Sequence, residues 1–238
     1  MQRKAGTFDE WRYEAVNMWR LHQFPLCPFS RAVRFAMAEK AATAELVSAF
    51  PWDRPETLSR LNPAIQTPVL ETGNAVLCDS VAIIEWLDET VERAPLIGAS
   101  ATERAEARRL TAWFAQRFYA EVTAPLLAER MYKRVVARAM PDGIAIRNAN
   151  RAAELHLQYI DDLLDENRWL AGPTFGAADI HAAAQISIAD YLGGIDWQGH
   201  PQAKLWYSVL KSRPTFRALL GERMEGVHPP AHYDKLDF

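Results

Sequence analysis

Cysteine is nearly absent from this chain. Only Cys27 and Cys78 occur in 238 residues. They are too few for a disulfide framework and are not grouped with histidines as a metal site needs, so a reducing cytoplasm is the expected setting. Long apolar runs are missing too. Charges interrupt every hydrophobic stretch well short of the roughly 20 residues that a membrane-spanning helix requires. Met1 to Glu14 mixes Arg3, Lys4, Asp9, Glu10 and Trp11 without the apolar core of an export signal. No membrane insertion is expected. Nor is there an excess of one charge: 27 basic against 30 acidic side chains leave a net charge of −3, which offers no general attraction to nucleic acid or anionic lipid. What the chain does hold is apolar residues, 49% of the total, enough for one large domain or two modest ones and incompatible with disorder.

The pattern of those residues changes partway along. Residues 16–24 read as a strand, broken by Pro25 and Pro28, with a helix starting near Pro28. On that helix Val33, Ala36 and Met37 share a face while Arg31, Arg34 and Lys40 point elsewhere. A second strand over Glu45 to Phe50, a short helix over Arg54 to Leu61 and a third strand over Thr67 to Glu71 follow. The turn signal Thr72-Gly73-Asn74 joins the third strand to a fourth, Ala75 to Cys78. Asp79 and Ser80 then open a helix running to about Val91, with a side-chain oxygen available as cap. The stretch Glu92 to Ser100, carrying Pro95 and Gly98, is the candidate linker. Beyond it only helices are predicted: Thr102 to Met140 interrupted by Pro125, Ile144 to Asn167, Ala177 to Leu192, Pro201 to Ser212 and a last turn near Leu219. Phe175 and Ile180 occupy the staple positions around Gly176, and Asp179 stands at the third position of a capping box.

The order βαβ-α-ββα followed by helices resembles the glutathione transferase superfamily across nearly the whole chain. The pieces that carry the resemblance are Cys27-Pro28-Phe29-Ser30, Asn62-Pro63, Gln66-Thr67-Pro68-Val69-Leu70, Asp79-Ser80 and Phe175 to Ile180. The implied architecture is an N-terminal extension over 1–15, a thioredoxin-like domain over 16–92, an all-helical domain over 101–228 and a tail over 229–238. Glutathione is the implied co-substrate, and no cofactor is required. Gln66, Thr67, Pro68, Asp79 and Ser80 stand at the family's glutathione-binding positions, with Thr67 offering its backbone before a cis proline. Asp79 and Ser80 hold the γ-glutamyl carboxylate in that reading. A helix start carries unpaired N–H groups and partial positive charge, so Cys27 or Ser30 can stabilise a thiolate there. Cys27 matches the redox cysteine of omega-type members, and Ser30 resembles the hydroxyl that others use to activate the glutathione thiol. Both stay open, as does a purely structural role for Cys27 as a small buried hydrophobe. Two positions depart from the family pattern: Ile65 stands where glycine is usual, and Gly176 where serine or threonine is usual.

A smaller group within that superfamily, the FtsZ-localised cell-division proteins of alphaproteobacteria, is similar in further places. These are the front motif Cys27 to Arg34, Pro51-Trp52, the run Tyr191 to Trp197, and the tail Pro229-Pro230-Ala231-His232-Tyr233-Asp234-Lys235-Leu236-Asp237-Phe238. That resemblance implies a cytoplasmic homodimer at the division site that binds FtsZ filaments and regulates their curvature. It requires no transferase activity; a transferase or thiol transferase acting on small electrophiles or mixed disulfides is the alternative. Within the tail, Pro229, Pro230, His232, Tyr233, Asp234, Leu236, Asp237 and Phe238 are the candidate partner contacts, because prolines stiffen the segment and aromatic anchors alternate with acids. A tail folded back over its own helical domain is the competing expectation. Arg130, Lys133, Arg134 and Arg138 share one helix face, which makes Arg130 and Arg134 further candidates against an acidic partner; a solvated face explains the stripe equally well. Trp113, Phe114, Phe118, Tyr119, Trp197, Trp206 and Tyr207 read mainly as packing.

Overall fold

The computed structural model describes residues 19–236. The expected extension over 1–15, the first residues of the expected strand at 16–18, and Asp237 and Phe238 lie outside the described residues.

The first half is a four-stranded sheet in the order β2-β1-β3-β4. Strand β1 (Trp19–Gln23) pairs parallel with β2 (Ala44–Ser48) and antiparallel with β3 (Val69–Glu71), which continues antiparallel to β4 (Val76–Cys78). Helix α1 (Pro28–Glu39) makes the crossover between the parallel strands β1 and β2. A short helix α2 (Glu56–Leu61) leads to β3, and α3 (Ser80–Thr90) follows β4. This is the thioredoxin-like arrangement expected from the sequence. Boundaries differ by a residue or two, as where the second strand is Ala44–Ser48 rather than Glu45 to Phe50, and two of the shifts have a local cause. The third strand starts at Val69 rather than Thr67, because Pro68 has no N–H to give the ladder. The short helix starts at Glu56 rather than Arg54, because Pro51–Asp53 forms a tight turn of its own that ends with Arg54 at φ 47°.

Helix α1 also departs from the reading of its charged residues. Ala32, Val33, Phe35, Ala36 and Met37 are buried as expected, yet Arg31 and Lys40 are equally buried, at 1% and 2% exposure. Lys40 survives there by pairing with Asp88 at 2.7 Å and donating to the carbonyl of Ala94 at 3.1 Å. Asp88 in turn accepts from the backbone of Leu96 at 2.7 Å. The Leu96 carbonyl accepts from Ala177 N at 2.7 Å on the helical side, so the segment between the halves is fastened to both, with Leu96 and Ile97 inside the core.

The second half is helical. Helix α4 is built of four consecutive segments, Ala101–Ala112, Trp113–Thr123, Ala124–Leu126 and Leu127–Ala137. Ser100 and Glu103 form a reciprocal capping box at its start. Pro125 does not interrupt it, contrary to expectation. The turns on both sides widen to i→i+5 hydrogen bonding, seen as Ala124 N to Tyr119 O and Arg138 N to Lys133 O. Widened turns are a known way for a helix to carry a proline without breaking. Helix α5 (Gly143–Glu166), α6 (Ala177–Tyr191), α7 (Pro201–Ser212) and α8 (Pro214–Leu220) complete the bundle.

Every residue of α6 is buried, and α6 makes its most extensive contact with α1 of the other half. One hydrophobic cluster consequently runs from Leu21 on β1 through α1 and α6 to Phe216 on α8. Fully burying a side chain such as Ile186 stabilises by about 2–3 kcal/mol, so the seam between the halves is core rather than hinge. Among the described residues no helix is long and apolar enough to cross a membrane.

Candidate functional site

The site is built where three chain segments meet at that seam: the start of α1, the loop before β3, and the start of α3, with the middle of α4 as opposite wall. Two joined clefts result. One, of about 270 Å³, is lined by Asn62, Gln66, Thr67, Pro68, Asp79 and Ser80 together with Phe29, Ala64 and Cys78. The other, of about 410 Å³, lies between Cys27, Trp52 and Thr67 on one side and Tyr119, Leu127, Met131 and Tyr132 on the other. Phe29, Gln66 and Thr67 line both. The structure thus brings together Cys27, Gln66, Thr67, Pro68, Asp79 and Ser80. Ser30 lines neither cleft.

The Thr67-Pro68 bond is cis. It lays Thr67 against Cys27: the Thr67 hydroxyl donates to Sγ at 3.4 Å, and the thiol faces the Thr67 carbonyl at 3.5 Å. Cys27 caps α1, accepting from the backbone of Ser30 at 3.3 Å. These donors favour a thiolate, but burial outweighs them. The residue is 3% exposed and its thiol is pushed above the usual cysteine range, so it stays protonated at neutral pH, the opposite of a nucleophile's requirement. Ser30 is fully buried one turn further on; its hydroxyl lies beside the thiol and meets no partner at hydrogen-bond geometry among the described residues. The expectation that Ser30 presents a hydroxyl to a ligand is corrected: the residue is fully buried and lines neither cleft.

Asp79 sits at φ 74°, in the left-handed region, and caps α3 with Oδ1 accepting from Val81 N at 2.8 Å and Ala82 N at 3.3 Å. Two donors that could hold a ligand's carboxylate are satisfied by the protein's own. Ser80 is buried, its hydroxyl 3.4 Å from His181 Nε2. His181 Nδ1 donates to the carbonyl of Ala177 at 3.0 Å, which leaves Nε2 as acceptor for the Ser80 hydroxyl, and burial holds the imidazole below its ordinary pKa, hence neutral. His181 went unread in the sequence because 101 residues separate it from Ser80. Ile65, standing where glycine is usual, takes φ 52°; the position keeps the glycine-like conformation with a β-branched side chain in it. Gly176 has a reason of its own, since a Cβ there would stand 2.5 Å from the carbonyl oxygen of Leu96.

Phe29 and Tyr119 close the floor of the larger cleft with ring centroids 4.7 Å apart, and Trp52 meets Tyr132 edge-on at 6.3 Å. Tyr132 and Met131 were not singled out in the sequence, although Ala124, Leu127, Ala128 and Met131 recur at helical spacing and could have marked this face.

The described part of the tail, through Leu236, does not project. Tyr233 is fully buried, accepts from Arg31 at 3.0 Å and packs edge-on to Tyr191 at 5.2 Å. His232 Nε2 bonds Asp190 at 2.8 Å, and Asp234 pairs with Arg223 at 2.6 Å. The image of free aromatic anchors is therefore corrected for Tyr233, which is spent on the chain's own core. Pro229 and Pro230 are half-buried, Asp234 is exposed and Leu236 half-buried. Arg130 is corrected as well: it donates to the carbonyls of Leu192 and Gly193, the latter at 2.9 Å, and so ties α4 to the end of α6. Arg134 is exposed.

The sheet, the cis Thr67-Pro68 and the seam cleft define a class, and comparison with known proteins agrees: the glutathione S-transferase N-terminal domain family matches residues 21–95, and the chain belongs to the glutathione S-transferase superfamily. Across its length it is 45% identical over 222 residues to FtsZ-localized protein A of Caulobacter vibrioides (strain NA1000 / CB15N), an alignment covering 92% of this chain and 97% of that protein. The solved structure of FzlA from C. crescentus matches with a TM-score of 0.89 at 44% identity, covering 93% of this chain and all of that one. A glutathione S-transferase from Rhodospirillum rubrum F11 matches with a TM-score of 0.90 at 44% identity and the same coverage. The family and fold class expected from the sequence are the ones found.

Proposed function

We propose that this chain is a glutathione-transferase-like protein that associates with FtsZ at the division site, binds its filaments as a homodimer and regulates their curvature, without transferase catalysis. The observation that carries this reading is the 45% identity, sustained over nearly the full length, with a protein named for its localisation to FtsZ. The site's chemistry supports it. The Cys27 thiol is protonated, Ser30 is fully buried, and two N–H groups in the first turn of α3, those of Val81 and Ala82, are taken by Asp79. A filament-binding role asks for surface instead, and the exposed Arg134 and Asp234 offer it.

Co-sedimentation with GTP-assembled FtsZ tests the reading. The protein is expected to pellet with polymer and to change filament curvature in electron micrographs; failure to pellet at micromolar concentrations of both proteins overturns it. A glutathione-dependent transferase is the second reading, favoured by the intact 270 Å³ cleft that gathers Gln66, Thr67, Pro68, Asp79 and Ser80. Calorimetric titration with reduced glutathione separates the two: saturable heat that is lost in Ser80→Ala supports the transferase, and no heat at millimolar ligand removes it.

A further inference from the structure

Arg31 is a buried cation whose hydrogen-bond partners are all neutral; the buried Asp190 shares its neighbourhood, since both groups act electrostatically on Tyr207 and Tyr233. The Arg31 guanidinium meets three neutral oxygens: Nη1 donates to the Ser187 hydroxyl at 2.9 Å and to the Tyr233 hydroxyl at 3.0 Å, and Nη2 donates to the Pro25 carbonyl at 3.2 Å. No carboxylate lies within ion-pair distance of it among the described residues. A buried charge held by neutral oxygens depends on each one; Nε already meets no partner among the described residues, so losing Tyr233 leaves a further desolvated N–H unsatisfied. The three oxygens belong to three parts of the molecule. Pro25 is in the turn that delivers Cys27 to the cleft wall, Ser187 is on α6, and Tyr233 is in the tail.

We infer that Arg31 couples the seating of the C-terminal tail to the order of the Pro25–Cys27 turn, so that a tail drawn from its seat loosens the cleft wall and exposes the Cys27 thiol. In this proposal the tail is the two-state element, seated as observed or released. When Tyr233 leaves, water reaches the guanidinium and competes for the N–H that holds Pro25. The turn then keeps the Cys27 N to Phe24 O bond and the contacts of Sγ with Thr67 and Ser30, but not the strut behind it. The coupling is reciprocal by linkage: displacing the turn weakens the seat of the tail. It holds or fails in the isolated protein, independently of FtsZ.

The test uses full-length protein carrying Cys78→Ser, which leaves Cys27 as the single cysteine, and follows its rate of modification by an aromatic disulfide reagent. Adding Tyr233→Phe keeps the ring and removes the oxygen. The rate is expected to rise at least about threefold, the size of one lost hydrogen bond of typical strength, and to rise further when residues 229–238 are removed. Ile160→Val, a core change on α5 outside the Arg31 network, is expected to leave the rate unchanged. An equal rate in the parent and both tail variants overturns the inference. So does an increase in Ile160→Val matching that of Tyr233→Phe, since the effect is then general softening of the fold.

Discussion

Helices α3 and α6 both begin with an aspartate turned onto backbone N–H groups, one in the open and the other sealed in the core. Asp79 caps α3 from an exposed position, at a strained φ, inside the cleft. Asp179, three residues into α6, accepts from Gly176 N at 3.1 Å, Leu170 N at 3.1 Å and Trp206 Nε1 at 2.9 Å with no exposure at all. The same chemical device thus serves two ends. Asp179 is a node that locks a loop, a helix start and α7 together, and nothing outside the protein can take its place. Asp79 does work that water or a ligand carboxylate could also do, which is what a binding site requires of its walls.

The largest expected effect breaks the comparison from the buried side. Asp179→Ala leaves three buried donors without an acceptor, at about 1–3 kcal/mol each, so urea unfolding is expected to show a loss of about 3 kcal/mol or more. Its carboxyl also leaves a trace in pH. Burial pushes it up to about 6, above the unfolded value near 3.9. The folded state therefore binds more protons between these values, and the group's contribution falls as pH rises through that window and is constant above it. The unfolding free energy of wild type minus that of Asp179→Asn, followed from pH 4 to 7, checks the sign.

Asp79→Ala is expected to cost less, about 1–2 kcal/mol from the lost cap, with Asp79→Asn close to wild type by thermal unfolding. Nearby, Ile65 sharpens the contrast between strain and burial. Both Ile65→Ala and Ile65→Gly lose the side chain's packing, but only glycine relieves φ 52°. Ile65→Gly is expected to be the more stable of the two by about 1 kcal/mol, and denaturant midpoints decide. The smallest effect is in the tail. The bond to Asp190 raises the pKa of His232 against burial and the nearby Lys211 and Lys235. A raised histidine stabilises fully below its unfolded pKa near 6.5 and loses that contribution as pH rises through the folded value. With its side chain 35% exposed, the amount is under about 1 kcal/mol. An imidazole NMR titration midpoint at or below 6.5 would refute the stabilising bond from His232 to Asp190.

Much of the cleft could be read in the sequence. Pro28 just inside α1, Pro68 before β3, and Asp79 before an apolar stripe are local signals, each acting on its own stretch of backbone, and the structure brings those segments to one place. Ser30 and Arg130 were misjudged for a common reason. Helical spacing says which residues share a face, not what lies over that face. Ser30 is fully buried and lines neither cleft, and Arg130 meets Leu192 at the end of α6, 62 residues away. Tyr233 looked like an anchor for a partner because alternation of aromatic and acidic residues is the same whether the seat is another protein or the chain's own core.

The order of elements, the division between sheet and bundle, the turns and the helix caps were determined by the sequence alone, because each depends on backbone preferences and periodicity within a few residues. The tertiary structure decided which polar groups are sealed away: whether Cys27 is a thiolate or a thiol, whether Arg31 meets water or Tyr233, and whether the tail is free. These depend on which distant surface closes over a group, and desolvation has no signature in the group's own neighbours along the chain.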